Sequence, residues 1–340
     1  MSSNEKSPAK AGSRGTPSVP SPRIERSITL SFKGDWGRAN LHRVCGWLGY
    51  ELMKLSGPHS AFAIWNGRSG LDNVQAVGRG QVDVALSVPV AFMPMAMEGK
   101  GACAGEAFPH MRALGYIPQN DRMVMAIRRD LGIHSFAELR AKKPKMKITA
   151  GLGDGISFMG MGARLLLQAH GISDAEFKSW GGSYLEFEEP RRCTNAVLTG
   201  KADAIIQEAV MNSYWTDLAN GVDLVFLAVE PEAKALLARD YGIPLATLPK
   251  DYLRGIDREM EFMDFSHFLL LTTTDLPDDI AYALSWSLIE QFGTLQGMYS
   301  HLAPDRSPIS YPIDPKGACR TLIPLHPGSE RYFRDAGHLV

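Results

Sequence analysis

The run Gly153-Asp154-Gly155-Ile156-Ser157 is the sharpest candidate for chemistry in this chain. It leads straight into residues of helical apolar spacing, so its backbone N–H groups stand at a helix start, where the positive end of the helix dipole attracts an anion. Asp154, Gly155 and Ser157 are therefore candidate ligand contacts. The alternative is a plain glycine turn in which Asp154 or Ser157 caps the helix. Ile156 stands where a dinucleotide fingerprint needs a third glycine, and no Gly-Lys-Ser/Thr follows, so neither that fingerprint nor a P-loop is present. No cofactor is expected. A comparable turn near the start of the chain carries Asp35, Trp36, Arg38 and Asn40. Asp35 and Asn40 offer hydrogen bonds, Trp36 an aromatic wall and Arg38 a bidentate grip on a carboxylate; the alternatives are ordinary packing for Trp36 and a solvated Arg38. Ser87 and the pair Gln207-Glu208 each end an apolar run. Glu208 suits an ammonium group or, if partly desolvated, a proton transfer; otherwise it is a surface acid at a helix start. The nine histidines show no metal spacing, no acidic cluster completes a ligand set, and neither a GxSxG nor a marked cysteine nucleophile occurs, so no metal or hydrolase site is expected.

These residues are positioned by a pattern that occurs twice, about 120 residues apart. The first copy begins with the alternating run Ile28–Phe32, turns at Gly34–Gly37 and continues as a helix over Asn40–Leu55; the second begins at Lys147–Ala150, turns at Gly151–Gly155 and continues over Ser157–His170. Later in each copy Gly80-Gln81-Val82-Asp83 and Gly200-Lys201-Ala202-Asp203 introduce apolar runs that suit buried parallel strands. Two α/β lobes follow, with the chemistry outside the carboxyl ends of their strands. The segment Ile117–Asp121, between apolar runs at Ala113–Tyr116 and Arg122–Arg128, crosses from one lobe to the other, and Val222–Val229 carries the chain back. The expected organisation is a disordered tail over 1–27, lobe one over 28–116, lobe two over 117–229, and a return to lobe one with a C-terminal segment over 230–340.

Composition excludes several alternatives. A formal net charge of −1 over 340 residues gives no global attraction to nucleic acid. The most apolar window, Val82–Met97, is broken by Asp83, Pro89 and Pro94, so no direct membrane insertion is expected. Residues 1–26 are rich in Ser, Pro and Gly and lack an apolar core, which is the composition of a disordered tail rather than a secretory signal. A cytoplasmic location is the expectation, with periplasmic residence only if the tail is misread. Cys45, Cys103, Cys193 and Cys319 form no CxxC and are expected to be free and buried.

The closing stretch Ile323-Pro324-Leu325-His326-Pro327-Gly328-Ser329-Glu330-Arg331-Tyr332-Phe333-Arg334-Asp335-Ala336-Gly337 resembles the closing pattern of the solute-binding subunits of TAXI-type TRAP transporters. Ser69-Gly70-Leu71-Asp72-Asn73-Val74 is similar to a further motif of that family, and Gly153–Ser157 sits where the family has a glycine-rich turn opening a helix. The resemblance spans roughly Ile28 to Gly337. It implies a class II periplasmic-binding-protein fold, a small carboxylate such as an amino acid or dicarboxylate bound between the lobes, Ser69 among the ligand contacts, and TRAP membrane subunits as partners if the protein is exported. Where the family shows two tyrosines after the first strand, this chain has Trp36-Gly37-Arg38-Ala39-Asn40. Two functions stay open: a binding protein, or an enzyme on the same fold, such as a decarboxylase, with Glu208 or a histidine moving the proton.

Overall fold

The computed structural model describes residues 19–37 and 39–340. Lobe one is built on a five-stranded sheet in the order β2-β1-β3-β12-β4. Its strands are β1 (Thr29–Lys33), β2 (Ala61–Trp65), β3 (Val84–Ser87), β4 (Met111–Ile117) and β12 (Phe268–Thr273). β1 runs parallel to both β2 and β3, and β12 runs antiparallel to β3 and β4. Lobe two holds the seven remaining strands: β5 (Arg122–Arg128), β6 (Lys147–Ala150), β7 (Ser183–Glu186), β8 (Ala204–Gln207), β9 (Leu224–Leu227), β10 (Leu245–Leu248) and β11 (Met260–Asp264). Here β6 lies between parallel neighbours β7 and β8, while β5 pairs antiparallel with β8, β9 and β11.

Local sequence explains the first turn of each copy. Helix α1 (Asn40–Leu55) buries Leu41, Val44, Cys45, Leu48, Leu52 and Leu55, one stripe at helical spacing, against lobe one. The helix Phe158–Ala169 does the same in lobe two with Phe158, Leu165 and Leu166. The repeated aspartates have a shared task. Asp83 accepts from the Ser31 N–H at 2.7 Å, and Asp203 accepts from the Lys147 N–H at 2.7 Å, so each ties the foot of one strand to its neighbour.

The chain crosses between the sheets at Pro118–Asn120 and again at Phe265–His267, and the two crossings are laced together. His267 donates its N–H to the Gln119 carbonyl at 3.2 Å, Phe265 donates to the Asp121 carbonyl at 3.2 Å, and the His267 ring stacks on Tyr116 at 4.3 Å. The return thus comes after Asp264, not at residue 230: β9, β10 and β11 all extend the second sheet. Val222–Val229 reads as a connection by itself, but its strand is satisfied by pairing along β5. The expected tail is also shorter. Ile24 is buried in the lobe-one core and donates its N–H to the Leu55 carbonyl at 2.7 Å, and Arg26 pairs with Asp279, so residues 19–27 are packed. Residues 1–18 lie outside the described residues.

Apolar packing continues across the lobes. Phe92 of lobe one meets Phe158 edge-on at 5.0 Å and Phe265 at 5.6 Å, an arrangement favoured by the ring quadrupoles. All four cysteines are free and buried. His326 accepts from the Gly328 N–H at 3.1 Å and caps the helix Pro327–Asp335, which fits the closing motif to a structural task.

Candidate functional site

Two helix starts meet at the carboxyl ends of the strands. In lobe two, Ser157 caps the helix Phe158–Ala169 by accepting from the Gly160 N–H at 3.3 Å. Gly155 adopts φ +74°, the left-handed region that favours glycine. Asp154 Oδ1 accepts from the N–H groups of Ile156 (2.9 Å) and Ser157 (3.0 Å). In lobe one, helix α2 (Leu71–Gly78) begins against this turn, and the Leu71 N–H donates to the Ile156 carbonyl at 2.9 Å. Gly70 is required by the approach, because a Cβ there would lie 2.6 Å from that carbonyl oxygen.

Arg68 closes the contact from lobe one. Its guanidinium pairs with Asp154 and, at 2.7 Å, with Glu188. Two helix N-termini and one guanidinium thus meet at a single interlobe point, where the carboxylates of Asp154 and Glu188 answer the guanidinium. Burial alone pushes the Asp154 carboxyl up, but the Ser157 and Ile156 N–H groups and the Arg68 charge outweigh that and hold it below the usual range. The sequence reading made Asp154 a cap or a ligand contact; it is a cap that also reaches the opposite lobe. Arg68, adjacent to the Ser69 motif, escaped notice because its partners are 86 or more positions away.

The remaining sequence candidates fall into separate networks. Asp35 is buried and caps α1, with Oδ2 accepting from Leu41 N–H at 2.9 Å and Oδ1 from Ala39 N–H at 3.3 Å. Burial raises its carboxyl, opposed by those same N–H groups. Trp36 is partly exposed, with a buried indole N–H that has no partner among the described residues. Arg38 lies outside the described residues. Asn40 accepts from the Tyr299 hydroxyl at 3.0 Å. Ser87 is fully buried and donates to the Ser69 carbonyl at 2.8 Å, while Ser69, held at φ +60°, donates its own hydroxyl to the Arg68 carbonyl at 2.6 Å. These serines shape the loop that presents Arg68. Asn73 fixes the same corner by donating to the carbonyls of Gly34 (2.8 Å) and Leu86 (2.6 Å).

At the end of β8, the Gln207 side chain accepts from the Glu208 N–H at 3.0 Å and donates to Cys193 Sγ at 3.3 Å. The Glu208 carboxyl hydrogen-bonds to Asp121 on the crossing segment. Asp121 accepts in addition from the N–H groups of Arg122 (2.7 Å), Ala209 (2.8 Å) and Val210 (3.1 Å). Ala209 holds φ +64°, a strained conformation for a residue with a Cβ, so that its N–H can reach Asp121. Both acids are buried, and desolvation followed by the Asp121 charge holds Glu208 well above the usual carboxylate range. Desolvation raises both carboxyls and so favours a proton shared within the pair. A buried acid so engaged with Asp121 is not presented to a ligand. Its observed task is to hold the β8 loop to the lobe crossing. Asp121 was passed over as part of a connector; its position between two apolar strands, away from solvent, was the available signal.

Residues 60–337 match the model of the NMT1-like family. The chain belongs to the NMT1-like family. No curated protein matches it. Among solved structures, XAC2383 from Xanthomonas citri, bound to chloride, is 12% identical at a TM-score of 0.50, covering 92% of this chain and 99% of its own. A TctC solute-binding protein from Polaromonas is 15% identical over 92% of this chain and 99% of its own, with a TM-score of 0.49. A protein described as a periplasmic transporter is 10% identical over 91% and 95% of the two chains, with a TM-score of 0.49. The two-lobed periplasmic-binding-protein-like fold of this NMT1-like chain agrees with the architecture expected from its internal repeat. The cytoplasmic expectation is withdrawn. It rested on reading residues 1–26 as a free tail, whereas Ile24 and Arg26 are tied to lobe one.

Proposed function

We propose that this NMT1-like protein is a solute-binding protein that takes a small organic carboxylate between its lobes. The observation that carries the reading is the convergence of the α2 start, the start of the helix Phe158–Ala169 and the Arg68 guanidinium on one interlobe point. Such a point suits a carboxylate by charge-assisted hydrogen bonding. Asp154 and Glu188 supply carboxylates from within the protein, so an incoming carboxylate competes with both for Arg68 and with Asp154 for the neighbouring N–H groups. Opening and closing about the laced crossings at residues 118–120 and 265–267 admits the solute, and the solute shifts that population towards closure.

The finer assignment, a TAXI-type TRAP receptor delivering its solute to membrane subunits, rests on the closing motif and the Ser69–Val74 motif. The enzyme alternative names Glu208 or a histidine as the proton carrier; Glu208 is buried and engaged with Asp121, which supports binding over that use of it. Isothermal titration of a panel of dicarboxylates and acidic amino acids tests it. At least one member should bind the intact protein, and Arg68→Ala should weaken that binding about tenfold or more. Equal binding by the variant would remove Arg68 from the site.

A further inference from the structure

Among the described residues, the β2 edge of the lobe-one sheet carries no charge, proline or bulge that would keep a strand from pairing. β2 is its outermost strand, and residues 58–67, Pro-His-Ser-Ala-Phe-Ala-Ile-Trp-Asn-Gly, contain no charged residue and no proline after the first position. Natural edges are usually blunted by lysine, proline or a bulge. Large apolar side chains lie open around it: Trp65 on the strand is 59% exposed, and Tyr50 and Met53 of α1 are 57% and 55% exposed. Tyr50 and Met53 each lie one helical turn beyond Gly46 and Gly49, the residues on which Ile64 and Phe62 pack, so they continue that surface.

The backbone fixes which groups are available. The Ala61 N–H donates to the Ile28 carbonyl, and the Trp65 carbonyl accepts from the Gly34 N–H. Residues 61, 63 and 65 therefore spend their backbone groups on β1. By the alternation of a strand, Phe62 and Ile64 turn theirs towards the open edge.

We propose that this edge pairs with the same edge of a second copy, antiparallel and centred on Ala63. In that register Phe62 faces Ile64 of the other copy and Ile64 faces its Phe62, which gives four backbone hydrogen bonds from the outward N–H and C=O groups. Ala63 meets its own symmetry mate in a non-hydrogen-bonded pair, where Cα atoms come within about 4.5 Å, the closest approach in an antiparallel ladder. Alanine fits there. Ala61 faces Trp65 of the other copy, small against large on one face of the joined sheet. Each contact is satisfied reciprocally, as a two-fold interface requires. Near-zero net charge adds no strong repulsion between copies.

Single-cysteine cross-linking of the full chain tests both the pairing and its register. Ala63→Cys places two thiols across the axis at a spacing a disulfide accepts. With the four natural cysteines buried, mild oxidation by diamide should convert most of this variant to a covalent dimer. Ala61→Cys should give at least about tenfold less, because its thiol faces Trp65. Sedimentation velocity of the unmodified protein should show a dimer that dissociates in Ala63→Lys. Position 63 is exposed, so that variant should keep the parent's circular dichroism and melting temperature. A monomer at all concentrations, or equal cross-linking at 61 and 63, would overturn the proposal.

Discussion

Replacing Asp154 by alanine should loosen the empty protein and tighten its hold on a carboxylate. Asp154 contributes two backbone hydrogen bonds at a helix start and one arm of the Arg68 contact. Losing a helix-start acceptor of this kind costs about 0.5–2 kcal/mol. The ion pair adds little: side-chain exposures of 39% and 33% place it near the solvent-screened range of about 0.2–1 kcal/mol. Denaturant unfolding should thus show a loss of about 1–3 kcal/mol, mostly from the cap. Affinity should move the other way. A ligand carboxylate then competes with Glu188 alone for the guanidinium, and release from a second competitor held by about 1.4 kcal/mol corresponds to about tenfold in Kd. Isothermal titration of parent and variant with the same dicarboxylate reads this directly. A fall in affinity that parallels the loss of stability would refute competition and leave Asp154 as a supporting cap alone.

Three further outcomes follow from the same geometry. Because the Asp154 carboxyl is held below its ordinary range, its stabilising contacts are fully present above the unfolded value near 4 and are lost only as pH falls below that, so stability changes between pH 7 and 5 should be insensitive to Asp154→Asn. Glu208 has the opposite sign: its raised value means stability fully present below the unfolded value near 4.3 and lost as pH rises through the folded one, so Glu208→Gln should flatten the fall in unfolding free energy as pH is raised above about 4.3. Gly70 holds φ at −104°, outside the left-handed region, and every close contact of an added Cβ lies in lobe two, the nearest 2.6 Å away at the Ile156 oxygen; for Gly70→Ala, small-angle scattering should show a more open particle and titration a loss of affinity of about tenfold or more, with little change in melting temperature.

Local signals in the sequence were sufficient for elements whose causes are local. Alternation at Ile28–Phe32, the apolar stripe of Asn40–Leu55 and the paired Gly-x-x-Asp starts all lead to observed strands and helices within a residue or two. The two-sheet division followed from the repeat. Long-range choices were not legible in the same way. Leu245–Leu248 and Met260–Asp264 become strands of lobe two by pairing with each other and with β5, about 140 positions upstream, and no local feature of those residues names that partner. At the site, the helix start was readable from its glycines. What fills it was not, because Arg68 and Asp154 are brought together by closure of two lobes. The Glu208 carboxyl looked available in sequence for the same reason: Asp121, 87 positions away, meets it only in the fold.

The central claim is that a carboxylate is held between the lobes at Arg68. Titration calorimetry of the intact protein and Arg68→Ala against the same panel of small dicarboxylates and acidic amino acids tests it most directly. Saturable one-to-one binding of at least one carboxylate, weakened about tenfold or more by the substitution, is the expected result. Binding of that carboxylate with unchanged affinity in Arg68→Ala, or no binding by any member of the panel, would contradict it.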